Sequence, residues 1–293
     1  MYELNPIKKT INITHIATAS EPAYDENFSF NGENHNFWEM VYVLEGAICA
    51  TADEKVFQLS EGEIIFHKPM EFHKLWSHRN TKPHLFIMSF QAEGELMEYF
   101  KDGVFKLDAA SKNALNVMLT YLRDCQKDEP EHYNYFLIPW NRLQYYGEKL
   151  GALLTCFLLT VAESSSTLTD VMESKSAQIY NKVINTMKAH VNGTLSVKDI
   201  ASKCNISQSY LKKIFARYST YTIHRYFTVL KIQEAISLLS KDYSVLEISD
   251  ILSFNNQNYF SIVFKRETGY SPMKYKNEFL KQKTNTDELL LNK

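Results

Sequence analysis

The chain has 293 residues, 45% hydrophobic and 23% charged, with a net charge of −2, which suits about two globular domains and excludes a disordered or collagen-like chain. Its four cysteines, Cys49, Cys125, Cys156 and Cys204, form no C-x-x-C pair, which argues against a zinc ribbon or dithiol site and fits a reducing cytoplasm. The near-neutral total hides a polarity: residues 1–175 hold 15 Lys and Arg against 25 Asp and Glu, a net of −10, while 176–283 hold 16 against 7, a net of +9.

The N-terminus, "MYELNPIKKTINITH", has no apolar core of a signal peptide. Residues 20–90 read as β. Short apolar or alternating runs ("FWEMVYVLEG", "AICATAD", "KVFQLSEG", "EIIFHKP", "HLFIMSFQA") are separated by Gly, Asp, Asn and Pro, the pattern of a small barrel or sandwich. Between 95 and 162 the period changes to three and four, as in amphipathic helices, with "EPEHYNYFLIP" as an interruption. The longest apolar run, 150–162, is 13 residues; a membrane span needs about 20, so it is expected to pack as a helix and no membrane partner is expected. Residues 164–176, "SSSTLTDVMESKS", read as a linker. The stretch 177–283 is helical in pattern and 284–293 is a tail.

The basic region contains one unit twice. "SVKDIASKCNISQSYLKKIFARYSTYTIHRY" and "SVLEISDILSFNNQNYFSIVFKRETGYSPMKY" align with an offset of 48 at Ser196/Ser244 and Ile200/Ile248, and of 49 at Phe215/Phe264 and Tyr226/Tyr275. The second copy therefore holds one extra residue, inside the amide cluster Asn255–Asn258. Each copy reads as helix-turn-helix, 197–218 and 245–267. Ser196 and Ser207 are N-cap residues. Asn205 suits a left-handed turn. Ile206 plugs the turn, and Leu211, Ile214 and Phe215 return to the core. In the second copy Ser253, Phe254, Phe260, Val263 and Phe264 take these places, Asn255 is the expected cap, and Asn256–Asn258 the first turn. Residues 222–239 make a connector of roughly 27 Å at 1.5 Å per residue, compatible with two reading heads one DNA turn, about 34 Å, apart. A repeated helical unit on a +9 segment points to DNA rather than to a plain helical repeat.

Residues 196–280, about a third of the chain, resemble the AraC/XylS family of bacterial transcription regulators. The resemblance rests on "DIASKCNISQSYLKKIF", "KIQEAISLL" and "SFNNQNYFSIVFKRETGYSPMKY". It implies two modules whose second helices lie in successive major grooves. Carried over by position, it implies base-facing roles for Ser209, Lys212 and Lys213 in the first copy and Asn256, Gln257, Asn258 and Ser261 in the second. Amides pair with adenine and Lys with guanine. Arg217, Lys265 and Arg266 are then phosphate contacts, which position without specifying. Ser253 and Thr220 stand where the family favours Gly, and Ile262 where it often has Arg. These departures predict strained turns and a second module that contributes less to affinity.

A weaker resemblance covers 30–90: "HNFWEMVYVLEG" and "LSEGEIIFHKPMEFHKL" look like the cupin-type sensing domain of such regulators, a barrel that can hold one small ligand. His35, Glu39 and His73 sit where metal-binding cupins place ligands. The usual H-x-H is incomplete, with Phe37 in the second place, so these residues are read as an effector pocket with no metal and no cofactor. His67, His78, His84 and His132 are read as surface or mouth residues. No Ser-His-Asp spacing, phosphate loop or paired acids are seen, so no enzyme is expected.

The expected architecture is α+β with two domains: a cupin-like β-barrel with flanking helices (1–163), a linker (164–176), and an all-α DNA-binding domain of two helix-turn-helix modules joined by a long helix (177–283). The expected function is a cytoplasmic transcription regulator, an activator by family tendency, that responds to a small molecule, a sugar by association. Family analogy adds RNA polymerase as partner and a possible homodimer through the helices at 110–162. The alternatives are a cupin enzyme fused to a helical interaction module, and a regulator whose barrel only dimerises or binds a protein.

Overall fold

The computed structural model describes residues 4–79, 81–101, 103–126, 144–168 and 174–280. The segment "EPEHYNYFLIP", His132 within it, and the 284–293 tail lie outside these residues.

Among the described residues, nine strands make up the sheet half: β1 (Asn12–Ser20), β2 (Trp38–Glu45), β3 (Ala47–Ala52), β4 (Lys55–Ser60), β5 (Glu63–His67), β6 (His73–Ser77), β7 (His84–Glu93), β8 (Val104–Lys106) and β9 (Ser166–Leu168). They form two antiparallel sheets, ordered β1-β7-β2-β5-β8-β9 and β4-β3-β6. The sheets face each other across one core, Val41, Val43, Ile65 and Leu85 on one side and Ile48, Phe57, Leu59 and Leu75 on the other. The expected barrel is thus an open two-sheet sandwich. The chain leaves β2 for the opposite sheet through Gly46 at φ 77°, a backbone state glycine adopts without steric penalty. Isolated bridges, such as Glu33 to His73, tie the flanking loop to the strands.

The outer face of the larger sheet is covered by α2 (Ala109–Gln126) and α3 (Tyr146–Ser164), after the short α1 (Leu96–Tyr99). Leu115, Leu119, Leu154 and Phe157 pack on Met40, Phe66, Met88 and Phe90, so the apolar run 150–162 serves a sheet. No helix among the described residues is long and apolar enough to cross a membrane. Within the stretch read as a linker, Ser166–Leu168 pairs with β8 as an edge strand.

The basic half holds α4 (Lys175–Lys188), α5 (Val197–Cys204), α6 (Gln208–Tyr218), α7 (Ile223–Ser240), α8 (Val245–Ile251), α9 (Gln257–Thr268) and α10 (Pro272–Tyr275), followed by a π-helical turn, Lys276–Leu280. Capping boxes start α5 and α8: Ser196 and Ser244 each accept from the third helical N–H, and Asp199 and Glu247 accept in return. Two cores result. Tyr180, Ile200, Leu211, Phe215 and Tyr226 fill the first; Ile232, Leu239, Ile248, Phe260 and Phe264 fill the second. Helix α7 serves both, so it is apolar nearly all round. Its 18 residues span about 27 Å.

Candidate functional site

The reading face comes from the turns upward. Asn205 and Ser253 occupy equivalent left-handed positions, φ 57° and 51°. Asparagine tolerates that region; serine there is uncommon. Thr220, also expected to be strained, has no positive φ among the described residues. Its hydroxyl donates instead to the Asn31 carbonyl of the sheet half.

Ser207 caps α6, its Oγ accepting from the Tyr210 N–H at 3.1 Å. In α9 the cap is Asn256, whose Oδ1 accepts from the Tyr259 N–H at 2.8 Å. Asn255, the expected cap, is therefore the extra residue and lengthens the turn. Asn256 is fixed by capping, which leaves its amide nitrogen as its outward group. Buried Leu211, Ile214 and Phe215 anchor α6, and Phe260, Val263 and Phe264 anchor α9. On the opposite faces Ser209, Lys212, Lys213 and Arg217, and Asn256, Gln257, Asn258, Lys265 and Arg266, are exposed, while Ser261 is half-buried. Ile262 is 67% exposed on the same helix.

Not all of the positive charge faces outward. Arg266 pairs with Glu267 at 2.7 Å, and Lys188 pairs with Glu54 of the sheet half at 2.5 Å. Lys231 is buried, and its Nζ donates at 2.5 Å to the Leu252 carbonyl at the end of α8. Burial lowers its pKa. Lys231 counts toward the +9 of its segment, yet it pins α7 to the second turn.

In the sheet half, His35, Glu39 and His73 come together, joined by residues that spacing did not reveal. The His73 Nε2 lies 3.3 Å from Glu39 Oε1, and the His35 Nε2 3.7 Å from Oε2. Ser89 Oγ donates to Glu39 Oε2 at 3.0 Å. Glu33 is brought alongside by its backbone pairing with His73. Glu33, His35, Glu39 and His73 each offer a ligand-type atom within 4.8 Å of the others. Behind them His67, expected at the surface, is fully buried and shares a hydrogen bond of 2.8 Å with Glu71. Its ring stacks on His73 at 4.3 Å.

The electrostatics follow the packing. Burial works against the charge on His73, but the Glu39 carboxylate overrides it and holds His73 above the usual histidine range. Burial pushes Glu39 up, yet His35 and His73 hold it well below the usual carboxylate range. Burial, then the neighbouring His73, lowers His67. One sequence signal was available for Glu33: in an extended segment, residues two apart share a face, and Glu33 stands two before His35.

The segment between β5 and β6, residues 68–72, joins this cluster to the helical half. Phe72 is buried in the first helical core and Met70 in the second. Gln233 of α7 donates to the Met70 carbonyl at 2.7 Å and to Asp53 Oδ1 at 3.3 Å. Tyr221 donates to Asn34 at 2.5 Å. Beside the cluster, a cleft of about 590 Å³ is lined by Thr14, Asn36, Phe37 and Gln91 of the sheet half and by Tyr270 and Glu278 of the helical half.

Residues 19–146 match the family model of the AraC-like ligand binding domain, and residues 189–278 that of a helix-turn-helix domain. The Msm operon regulatory protein of Streptococcus mutans is 26% identical over 263 residues, covering 87% of this chain and 89% of that protein. An uncharacterized HTH-type transcriptional regulator from the cgkA 5′ region of Pseudoalteromonas carrageenovora is 33% identical over 113 residues, 36% of this chain and 68% of that one. The HTH-type transcriptional activator RhaR of Escherichia coli K12 is 29% identical over 107 residues, 36% of this chain and 37% of its own. Among solved structures, ToxT from Vibrio cholerae O395 aligns over 92% of this chain and 98% of its own at 14% identity, with a TM-score of 0.38.

Proposed function

We propose that this chain, which belongs to the AraC family of DNA-binding transcription regulators, couples a small-molecule signal in its sheet half to operator binding by α6 and α9. It is a regulator with a ligand-binding domain, not an enzyme. The observation that carries the coupling is the 68–72 segment. One strand connection of the sensing half places Met70 and Phe72 in the cores of both reading modules. A shift of that segment changes how the two modules are held relative to each other.

Coupling requires that the effector bind two states with different affinity. The cleft between the halves meets that condition, because an occupant touches Asn36 and Phe37 on one side and Tyr270 and Glu278 on the other. Its lining of hydroxyl, amide and carboxylate groups with two aromatic rings suits a polyhydroxylated ligand, which favours a sugar. On the DNA side, Lys212 and Lys213 read guanine and Gln257 and Asn258 read adenine, while Arg217 and Lys265 hold phosphates. Ser209 and Ser261 are lesser contacts and Arg266 is shared with Glu267. A cytoplasmic activator that contacts RNA polymerase, possible as a homodimer through α2 or α3, completes the reading; RhaR carries the name of an activator.

The test has two stages. A duplex is first selected from a random pool by the protein, and its affinity is then measured with and without each member of a sugar panel. A sugar that raises the melting temperature and shifts operator affinity supports the reading. Stabilising sugars that leave operator affinity unchanged refute the coupling.

A further inference from the structure

We infer that Ile262 is a base-reading residue: it packs on the C5-methyl group of a thymine in the major groove, so that α9 selects a T·A pair where α6 selects a G·C pair. The role rests on the regulator reading above, in which α6 and α9 read DNA.

The two reading helices put different chemistry in one place. Phe215 and Phe264 align at an offset of 49, and the same offset carries Lys213 onto Ile262. Each stands two residues before the anchoring phenylalanine, and each is exposed. The anchors match as well. Ile214 and Phe215 are buried in α6, and Val263 and Phe264 in α9. Equal anchors set an equal rotation about the helix axis, so Lys213 and Ile262 project from equivalent places on the two helices. Lys213 is the guanine reader proposed above. Isoleucine has no donor or acceptor, so in that place it recognises an apolar group. The major-groove edges of the bases offer one, the thymine methyl.

The surroundings of Ile262 agree. Single apolar side chains are ordinary on a protein surface, but Ile262, at 67%, is the most exposed large hydrophobic side chain among the described residues of the helical half. Residues three and four apart are neighbours on a helix surface. Those neighbours are Asn258 on one side and Lys265 and Arg266 on the other, all exposed. The apolar group thus sits between an adenine-reading amide and the phosphate-facing end of the helix. An A·T pair carries on one major-groove edge both the adenine groups that an amide pairs with and the thymine methyl. A protein partner would also cover an exposed isoleucine, but the cation at Lys265 and the equivalence with Lys213 favour DNA. The two modules then read unlike half-sites. Guanine is selected by charge under α6, and thymine by an uncharged contact under α9.

The test uses the full chain and the duplex it selects from a random pool. The half-site under α9 is identified as the one that Gln257→Ala relaxes. Each thymine there is replaced singly by uracil, which removes the methyl group and keeps every hydrogen-bonding group. One replacement is expected to weaken binding about fourfold, the effect of withdrawing one buried methyl group. Ile262→Ala is expected to bind the thymine duplex more weakly than the parent and to be indifferent to that uracil. Repeating the selection with Ile262→Lys, which gives α9 the side chain of α6, is expected to change the preferred base at that position from thymine to guanine. Both variants should keep the melting temperature of the parent, because the side chain is exposed. A half-site without thymine, uracil tolerated at every position, or a uracil penalty that persists in Ile262→Ala overturns the role. An isoleucine that contacts only a partner protein gives tolerance of uracil. A chain that enriches no duplex overturns the regulator reading and this role together, whereas a chain that enriches a duplex and ignores uracil overturns this role alone.

Discussion

Replacing Phe72 with alanine tests the junction between the halves directly. Phe72 is fully buried. Its ring lies 4.7 Å from that of Tyr221 and 5.4 Å from that of Tyr226, both in the helical half. On its other side stands Gly32, where a Cβ placed on the backbone would come within 2.7 Å of the Phe72 Cζ. The sheet half thus offers it little side-chain packing at that point, and the loss falls mainly on the helical core. Truncating a buried Phe costs about 3–5 kcal/mol. A domain of this size loses about 4 °C or more per kcal/mol, so the helical half should melt at least about 12 °C lower. Scanning calorimetry of the full chain should show one shared transition in the parent and two in Phe72→Ala. A variant whose sheet transition falls while the helical transition keeps its midpoint would refute the argument.

Three further outcomes follow from named contacts. Lys213→Ala should weaken operator binding and relax a guanine position, and Gln257→Ala should cost about 1–3 kcal/mol and relax an adenine position; gel shifts on duplexes with single base changes read both, and a larger loss from Gln257 than from Lys213 contradicts the lesser weight given to the second module. Asn256→Ala should destabilise the second module by about 1 kcal/mol through loss of its cap, read by urea melts, while Asn255→Ala should be close to neutral. Burial, helped by Glu71 and Glu54 and opposed by Lys188 and Lys68, raises the Asp53 carboxyl from 3.8 to about 6. The native state therefore binds this proton more tightly than the unfolded chain does, and the contribution of Asp53 to stability falls as pH rises from about 4 to 6 and is flat above. Asp53→Asn keeps the acceptor for the Phe72 N–H and should remove this fall; a difference between parent and variant that stays constant from pH 4 to 7 contradicts it.

The helix-turn-helix repeat was legible because each of its determinants is local. A serine cap bonds an N–H three residues on, an apolar face recurs at three and four, and a left-handed turn needs one tolerant residue. Ser196, Ser207, Asn205 and the Leu211–Phe215 anchor all act within a few residues of themselves. Even the misplacement of the α9 cap by one residue, from Asn255 to Asn256, reflects a local tie between neighbouring asparagines. The strands were legible as strands for the same reason, but their closure was not. Whether two sheets join into a barrel depends on which edges meet, and alternation of side chains carries no such information.

The sequence alone determined the two halves and their opposite charge, which rest on composition and short-range pattern, and it carried the motifs of the family resemblance that the domain matches bear out. Tertiary structure decided everything that depends on pairing distant segments. The backbone ladder between Glu33 and His73 turns an incomplete motif into a four-donor cluster. The 68–72 connection, unremarkable as "KPMEF", became the piece of the sensing half that enters both reading modules. Lys231, one basic residue among sixteen in its segment, became a buried pin. In each case the chemistry of the side chain was visible in the sequence, but its partner lay tens of residues away, and only the folded chain brings the two into the few ångströms over which a hydrogen bond or a packed ring acts.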